Sequence, residues 1–427
     1  MTTKANLYQG ILEEPDNDEL RLIYADWCDE NDDSERAEFI RIQIQLEDLG
    51  EYDDQYFDLK EREEELLVSH ASRWTDEIRQ ELFRIGIDAS DLNYHFQRGF
   101  VEFLTPYKVW WPRLAMVRWI IPIGSPRWMC ERKDQFEQIV KGDGVVRLRS
   151  LAIKGSKVPA RKLAKLLKSD LSRCVRKLDF VDGGVDSQTV IYAVAVSRHL
   201  TQLRDLNLSR TSLDDMAISA LTKSPNVAKV RSLNLGWAHL RDTGFSAIAE
   251  STQLSQLQFL NVWANDITSA SLHAFSTFGG PGQLRELQMS YNTIGDDGAI
   301  ALAHSTRLTK LQKLHAWRVG LGAKGAAALA ESEFLGQLRE LVCPCNAMQD
   351  RGATALARST KLRMLSILDL SENNIGSQGA RAFARALEKY LPNLRLLCLM
   401  GNPIPPKACR ILKRAAECRG VEVHLDE

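Results

Sequence analysis

Leu203-Arg204-Asp205-Leu206-Asn207-Leu208 and Leu365-Ser366-Ile367-Leu368-Asp369-Leu370 are two copies of one six-residue pattern, L-x-x-L-x-L. Its first position falls on Leu148, Val175, Leu203, Val230, Leu257, Leu284, Leu311, Leu338, Leu365 and Leu394. Most copies are 27 residues apart, with one step of 28 and a last step of 29. A short run of alternating apolar residues reads as a strand with one buried face. Repetition at a fixed period reads as a stack of such strands. The ninth position is Asn in five copies, Asn265, Asn292, Asn346, Asn373 and Asn402. A buried Asn there can satisfy backbone groups that a tight bend leaves unpaired.

The second half of each unit has helical spacing. Ile294 to Ala303 and Met348 to Ala357 both place small apolar residues at i, i+3 and i+4, a narrow face that packs close to a strand layer. Asp215, Asp242, Ser269, Asp296, Asp350 and Ser377 stand where each helix begins and are expected as its N-caps. One unit cannot bury its own apolar side, but ten stacked units make a continuous core. The pattern resembles the ribonuclease-inhibitor-like class of leucine-rich repeats. That resemblance implies an α/β solenoid, a curved horseshoe with parallel strands inside and helices outside, covering residues 148–404. Pro405-Pro406, a polar helix from Lys407 to Cys418 and a last strand, Val421 to Leu425, are expected to close it as a C-terminal cap, residues 405–427.

The chain before the repeats differs in character. Residues 1–65 hold 22 Asp+Glu and 6 Lys+Arg, a balance of −16, whereas the remainder carries +15. Such a split suggests an acidic head docking on a basic surface, separate partners for the two parts, or simply a solvated acidic helix pair. Residues 6–49 read as helices around the acidic loop Asn31-Asp32-Asp33. Arg21-Leu22-Ile23-Tyr24-Ala25-Asp26-Trp27, Ala37-Glu38-Phe39-Ile40-Arg41-Ile42-Gln43 and Arg98-Gly99-Phe100-Val101-Glu102 resemble the bacterial "repeat-companion" domain, here residues 1–104. That resemblance implies a small, mainly helical module with no defined activity, and Cys28 departs from its usual Leu. Tyr24, Trp27 and Phe39 are expected in its core. Residues 105–147 hold Trp110, Trp111, Trp119 and Trp128 beside four prolines. They read either as an irregular N-terminal cap or as an aromatic binding surface.

Chemistry is sparse. No phosphate loop, H-E-x-x-H or G-x-S-x-G sequence occurs, so no catalytic residue or cofactor is assigned and the chain is read as a non-enzyme. Cys343-Pro344-Cys345 is the nearest approach to a metal pair. Cys343 replaces an inward leucine, and no matching His or Cys pair supplies the remaining ligands, His315 being the one candidate. No metal is assigned. The scattered cysteines suit a reducing compartment. No apolar run nears the ~20 residues of a membrane helix, and the N-terminus lacks a secretory pattern. A cytoplasmic protein without membrane contact is expected.

Binding is better supported. Positions three, five, seven and eight of each unit face away from the core or along its edge. There they carry Trp237, Trp263, Tyr291 and Trp317 in four successive units, with Phe259 and His315 on the same strands and Arg318 after Trp317. Outward Trp, Tyr and Arg are the usual anchors of protein interfaces. The alternative is that these rings shield the strand edge. A second row, Arg149, Arg176, Arg204, Arg231, Arg285, Arg339 and Arg395, is read as a salt-bridged rim neutralised by Asp205, Glu286, Glu340 and Asp369. The other reading is a strip for an acidic partner. Nucleic acid is disfavoured, because aromatics are not interleaved with these arginines. The expected function is a scaffold, adaptor or sensor binding a protein partner. The alternative is a regulator that inhibits or switches an enzyme encoded nearby.

Overall fold

The computed structural model describes residues 3–14, 17–49, 55–84, 93–105, 127–130, 150–154, 159–181, 187–278, 281–387 and 389–426. The chain divides into two compact units, one holding residues 1–129 and the other residues 176–427, with short pieces between shared out.

In the first unit, Thr3 and Asn17 use their side chains to cap α1 (Lys4–Glu13) and α2 (Asp18–Glu30). The expected acidic loop ends α2, with Asp32 at φ 61°, and α3 (Ser34–Asp48) and α4 (Tyr56–Arg84) follow. Ile11, Tyr24, Ala25, Cys28, Ala37, Ile40 and Phe100 form one core cluster, against which Trp27 packs. Phe39 stacks on Trp74 at 4.8 Å in a second. Tyr24 and Phe39 are therefore core, as expected, and Trp27 lies half-buried at the edge of its cluster. Arg36 lies among them, its guanidinium carbon 4.7 Å from the Trp74 ring centre and 5.4 Å from that of Phe96. Ring faces attract the cation, while burial lowers its pKa.

The hairpin of β1 (Asn93–Gln97) and β2 (Phe100–Thr105) is antiparallel. Arg98 and Gly99 turn it at φ 49° and 82°, the two positive angles of a tight hairpin turn. A side chain on Gly99 would come within 2.1 Å of Ile40. Gly99 instead donates its N–H to Gln43 Oε1 at 2.6 Å, and buried Arg98 pairs with Asp18 at 2.8 Å. Arg21 donates to the Arg98 carbonyl. The residues that carry the head's sequence resemblance thus dock a turn onto the helices.

In the second unit the strands are β5 (Lys177–Val181), β6 (Asp205–Asn207), β7 (Ser232–Asn234), β8 (Phe259–Asn261), β9 (Glu286–Gln288), β10 (Lys313–His315), β11 (Glu340–Val342), β12 (Ile367–Asp369), β13 (Leu396–Cys398) and β14 (Glu422–His424). They pair in sequence order, all parallel. β4 (Ser150–Lys154) precedes them in the sheet. The register sets Leu206 beside Leu233, and Leu260 beside Leu287. Between strands run the helices Ser187–Val196, Asp215–Thr222, Asp242–Ala249, Ser269–Phe278, Gly295–Ala303, Ala323–Glu331, Gln349–Ala357 and Ser377–Ala386. The closing helix Pro406–Glu417 and β14 form as expected. Trp110, Trp111, Trp119, Leu148 and Arg149 lie outside the described residues; within their stretch, β3 (Arg127–Cys130) is a strand.

The asparagine row joins repeats. Asn265 Oδ1 accepts from Ala238 N and Leu240 N of the preceding unit, and its Nδ2 donates to Leu235 O and Val262 O. Asn292, Asn346 and Asn402 repeat this bridge one unit or more further along. The carboxylates expected as N-caps differ from that expectation. Asp214, not Asp215, caps its helix. Asp242, Asp296 and Asp350 lie inside their own first turns. Each reaches across to the next repeat: Asp296 Oδ1 accepts from Gly322 N and Gly325 N, and Asp350 Oδ1 from Gly376 N and Gly379 N. Ser269 and Ser377 also fall within helix rather than before it. For the helices that follow Asp242, Asp296 and Asp350 by one repeat, the cap is therefore a device between repeats. The orphan N–H groups of one helix are met by the acidic side chain of its neighbour.

Candidate functional site

Among the described residues, the eighth position of eight successive repeats has one backbone conformation. Arg210, Trp237, Ala264, Tyr291, Arg318, Cys345, Glu372 and Gly401 all have φ between 50° and 67°. Only the last is Gly, and for an L residue this region costs roughly 1–2 kcal/mol. The gain that offsets it is visible. The first seven N–H groups donate to the seventh-position carbonyl of the next repeat, as Trp237 N does to Trp263 O at 2.8 Å and Tyr291 N to Trp317 O at 2.7 Å, and Gly401 N donates to the Asp426 carboxylate. One position earlier, the turn is set by strand-end amides. Asn234 Oδ1 accepts from Gly236 N, and Asn261 Oδ1 from Trp263 N.

This geometry brings the four predicted rings together. Position seven of one unit and position eight of the next alternate along the chain, yet they form one ladder. Trp237 and Trp263 lie 5.5 Å apart between ring centres, Trp263 and Tyr291 5.7 Å, and Tyr291 and Trp317 5.0 Å. The Arg318 guanidinium stands 5.7 Å from the Tyr291 ring centre. The rings shield one another and still keep a free side, for Trp237 is 51% and Trp317 41% exposed. The two candidates on the strands sit differently. Phe259 lies on β8 in register with Ser232 and Glu286. His315 lies on β10 with Nε2 3.2 Å from Glu340 Oε1, and this contact holds the Glu340 carboxyl below its usual range. Ser290 was not singled out by the sequence, and Cys345 was weighed there only in the Cys343-Pro344-Cys345 pair. Ser290 Oγ accepts from Trp317 N. Burial pushes the Cys345 thiol up, opposed by a hydrogen bond from the Trp317 side chain. The 27-residue spacing of Ser290 from Trp263 and Trp317 was the available signal for it.

Cys343 is buried, and burial raises its thiol far above the ordinary value. No cluster with metal-ligand composition occurs among the described residues. In the arginine row, Arg204 and Arg231 act on Asp205, whose carboxyl is raised by burial and lowered by Lys177 and these arginines. No helix among the described residues is long and apolar enough to cross a membrane.

A family model described as "Leucine Rich repeat" matches residues 228–249, 284–303 and 361–384. These segments carry the strand–turn–helix unit observed above. The second unit is a leucine-rich-repeat array. Among solved structures, the chain is similar to an internalin of Listeria monocytogenes str. 4b F2365, with 17% identity over 70% of this chain and 77% of that one, at a TM-score of 0.42. It is also similar to a Bacteroides fragilis protein, with 14% identity over 56% and 69%, at 0.40. No curated protein matches. The repeats classify the fold; the aromatic ladder stands at repeat positions whose residue type changes from one unit to the next.

Proposed function

We propose that this leucine-rich-repeat protein is a non-catalytic binding module that captures a protein partner on the sheet-side ladder from Trp237 to Arg318. The observation that carries this reading is the exposure of Trp237 and Trp317 at the two ends of a continuous stack. Rings of this type can each bury ~150–250 Å² against a partner. Their mutual packing fixes their rotamers in the free protein, so little ordering remains for binding to oppose. Two of the four sit in left-handed backbone conformations, where local strain is retained by the surrounding bonds. Phe259, His315 and Arg318 flank the ladder and supply its rim.

The test is a Trp237→Ala/Trp317→Ala variant. These are the ladder's ends, so their removal leaves the Trp263–Tyr291 contact in place. Interface anchors of this kind contribute about 2 kcal/mol or more each, or about 30-fold per ring. The variant is expected to keep the wild-type circular dichroism spectrum and to lose a partner that co-purifies with the wild type from its native cell. Undiminished affinity for that partner would place the interface elsewhere.

A further inference from the structure

The helical layer at the C-terminal end of the array is strongly basic. Arg351 and Arg358, Arg381 and Arg385, and Arg410 and Arg414 lie in pairs on or at the end of three successive helices, and all six are exposed. Arg358, Arg385 and Arg414 occupy one position of three successive repeats, and Arg381 and Arg410 another. The stack therefore lines them up as columns. Lys407 and Lys413 extend the patch along the last helix. Among the described residues none of these eight cations has a hydrogen-bonded or ion-paired side chain.

Local physics does not account for the arrangement. Cations near a helix C-terminus gain from its dipole, which explains Arg358, Arg385 and Arg414. It does not explain Arg351, Arg381, Lys407, Arg410 or Lys413, and like charges at i,i+4, as in Arg381/Arg385 and Arg410/Arg414, oppose their own helices. Of the two carboxylates on these three helices, Asp350 is already engaged by Gly376 and Gly379, which leaves Glu417 in the last turn against the eight cations. A surface held in this state is suited to an acidic occupant.

The complementary surface is in the same chain. Residues 1–65 carry a balance of −16. Part of that charge is neutralised inside the head, as in Arg41 with Asp26 and Asp29, and Arg62 with Glu38 and Glu65. Glu30, Asp32 and Glu35 at the α2–α3 loop, and Asp58, Glu61 and Glu64 on α4, are exposed and have no ion pair among the described residues. The excess on each side is large although the whole chain sums to −1.

We propose that the acidic head of one copy docks on the basic C-terminal helix layer of a second copy, giving head-to-tail self-association. Such a contact joins two different surfaces, so it extends into short chains of molecules unless it closes into a ring. The aromatic ladder takes no part in it.

Sedimentation velocity of the full-length protein over a concentration series tests this. At low salt the sedimentation coefficient is expected to rise with concentration. At about 0.5 M salt, where screening acts within a few ångströms, the protein is expected to be monomeric. Arg381→Glu/Arg410→Glu and, separately, Glu61→Arg/Glu64→Arg are expected to weaken association at least about tenfold while keeping the wild-type circular dichroism spectrum. Mixing the two variants restores one intact head and one intact basic layer, and association should return. A monomeric wild type at low salt overturns the proposal, as does association insensitive to both reversals, or two monomeric variants that fail to associate when mixed.

Discussion

Replacing Asn265 with Ala tests the idea that the repeats are held together by buried amides as well as by leucines. Asn265 is 7% exposed. Its side chain accepts from Ala238 N at 3.1 Å and Leu240 N at 2.8 Å, and donates to Leu235 O at 2.9 Å and Val262 O at 3.0 Å. Three of these four partners belong to the preceding repeat. Alanine leaves them without this partner in a site closed to bulk water. At about 1 kcal/mol for each bond, the loss comes to about 4 kcal/mol, a large share of the stability of an ordinary domain. The assay is equilibrium urea unfolding followed by far-ultraviolet circular dichroism. Asn265→Asp separates hydrogen bonding from packing. It preserves volume and both accepted bonds but gives up both donated ones, and it turns carboxylate oxygens toward two carbonyls. If hydrogen bonds dominate, its cost is comparable to that of Ala. A loss below about 1 kcal/mol for Ala, or a mild Asp variant beside a severe Ala one, would refute the reasoning.

Two further outcomes follow from the same geometry. Burial raises the Asp242 carboxyl, but bonds from Thr268 and Ser271 outweigh it and hold the group below its usual value. Its folded pKa therefore lies below the unfolded value of about 3.9, so its contribution is intact above that value and is lost as the pH falls through the folded pKa. Unfolding free energy measured from about pH 6 downward should have a shallower acid limb in Asp242→Asn; an unchanged limb would show that the bridge is dispensable. In the head, Gly99→Ala combines a left-handed conformation with a Cβ 2.1 Å from Ile40. It should cost about 3 kcal/mol from strain and overpacking together, read as lost hydrogen-exchange protection in α3 and the β1–β2 hairpin. Wild-type protection would contradict the docked-turn reading.

The site was legible in part. The period placed Trp237, Trp263, Tyr291 and Trp317 on four neighbouring units, because residues at one repeat position stack in register. It did not reveal that rings from two alternating positions merge into one ladder. That follows from the left-handed eighth residue, which swings position eight toward position seven of the next unit, and no residue type marks it: Arg, Trp, Ala, Tyr, Cys, Glu and Gly all occur there. Phe259 and His315 were placed on the right strands, but His315 is occupied by Glu340.

The sequence by itself determined the strand–turn–helix unit, its repetition, the asparagine row and the closing helix and strand. All of these are written in residues close together or at one fixed spacing. The tertiary structure alone decided which repeat each polar group serves. Asp296 and Asp350 look like caps of their own helices, yet they bond backbone groups 26 and 29 residues ahead. Arg98 and Gly99 look like an ordinary hairpin turn, yet they are fixed by Asp18, Ile40 and Gln43, more than 50 residues earlier. A local pattern records what a residue does within its own turn. A partner brought in by stacking or docking depends on the register of whole elements, which no short spacing encodes.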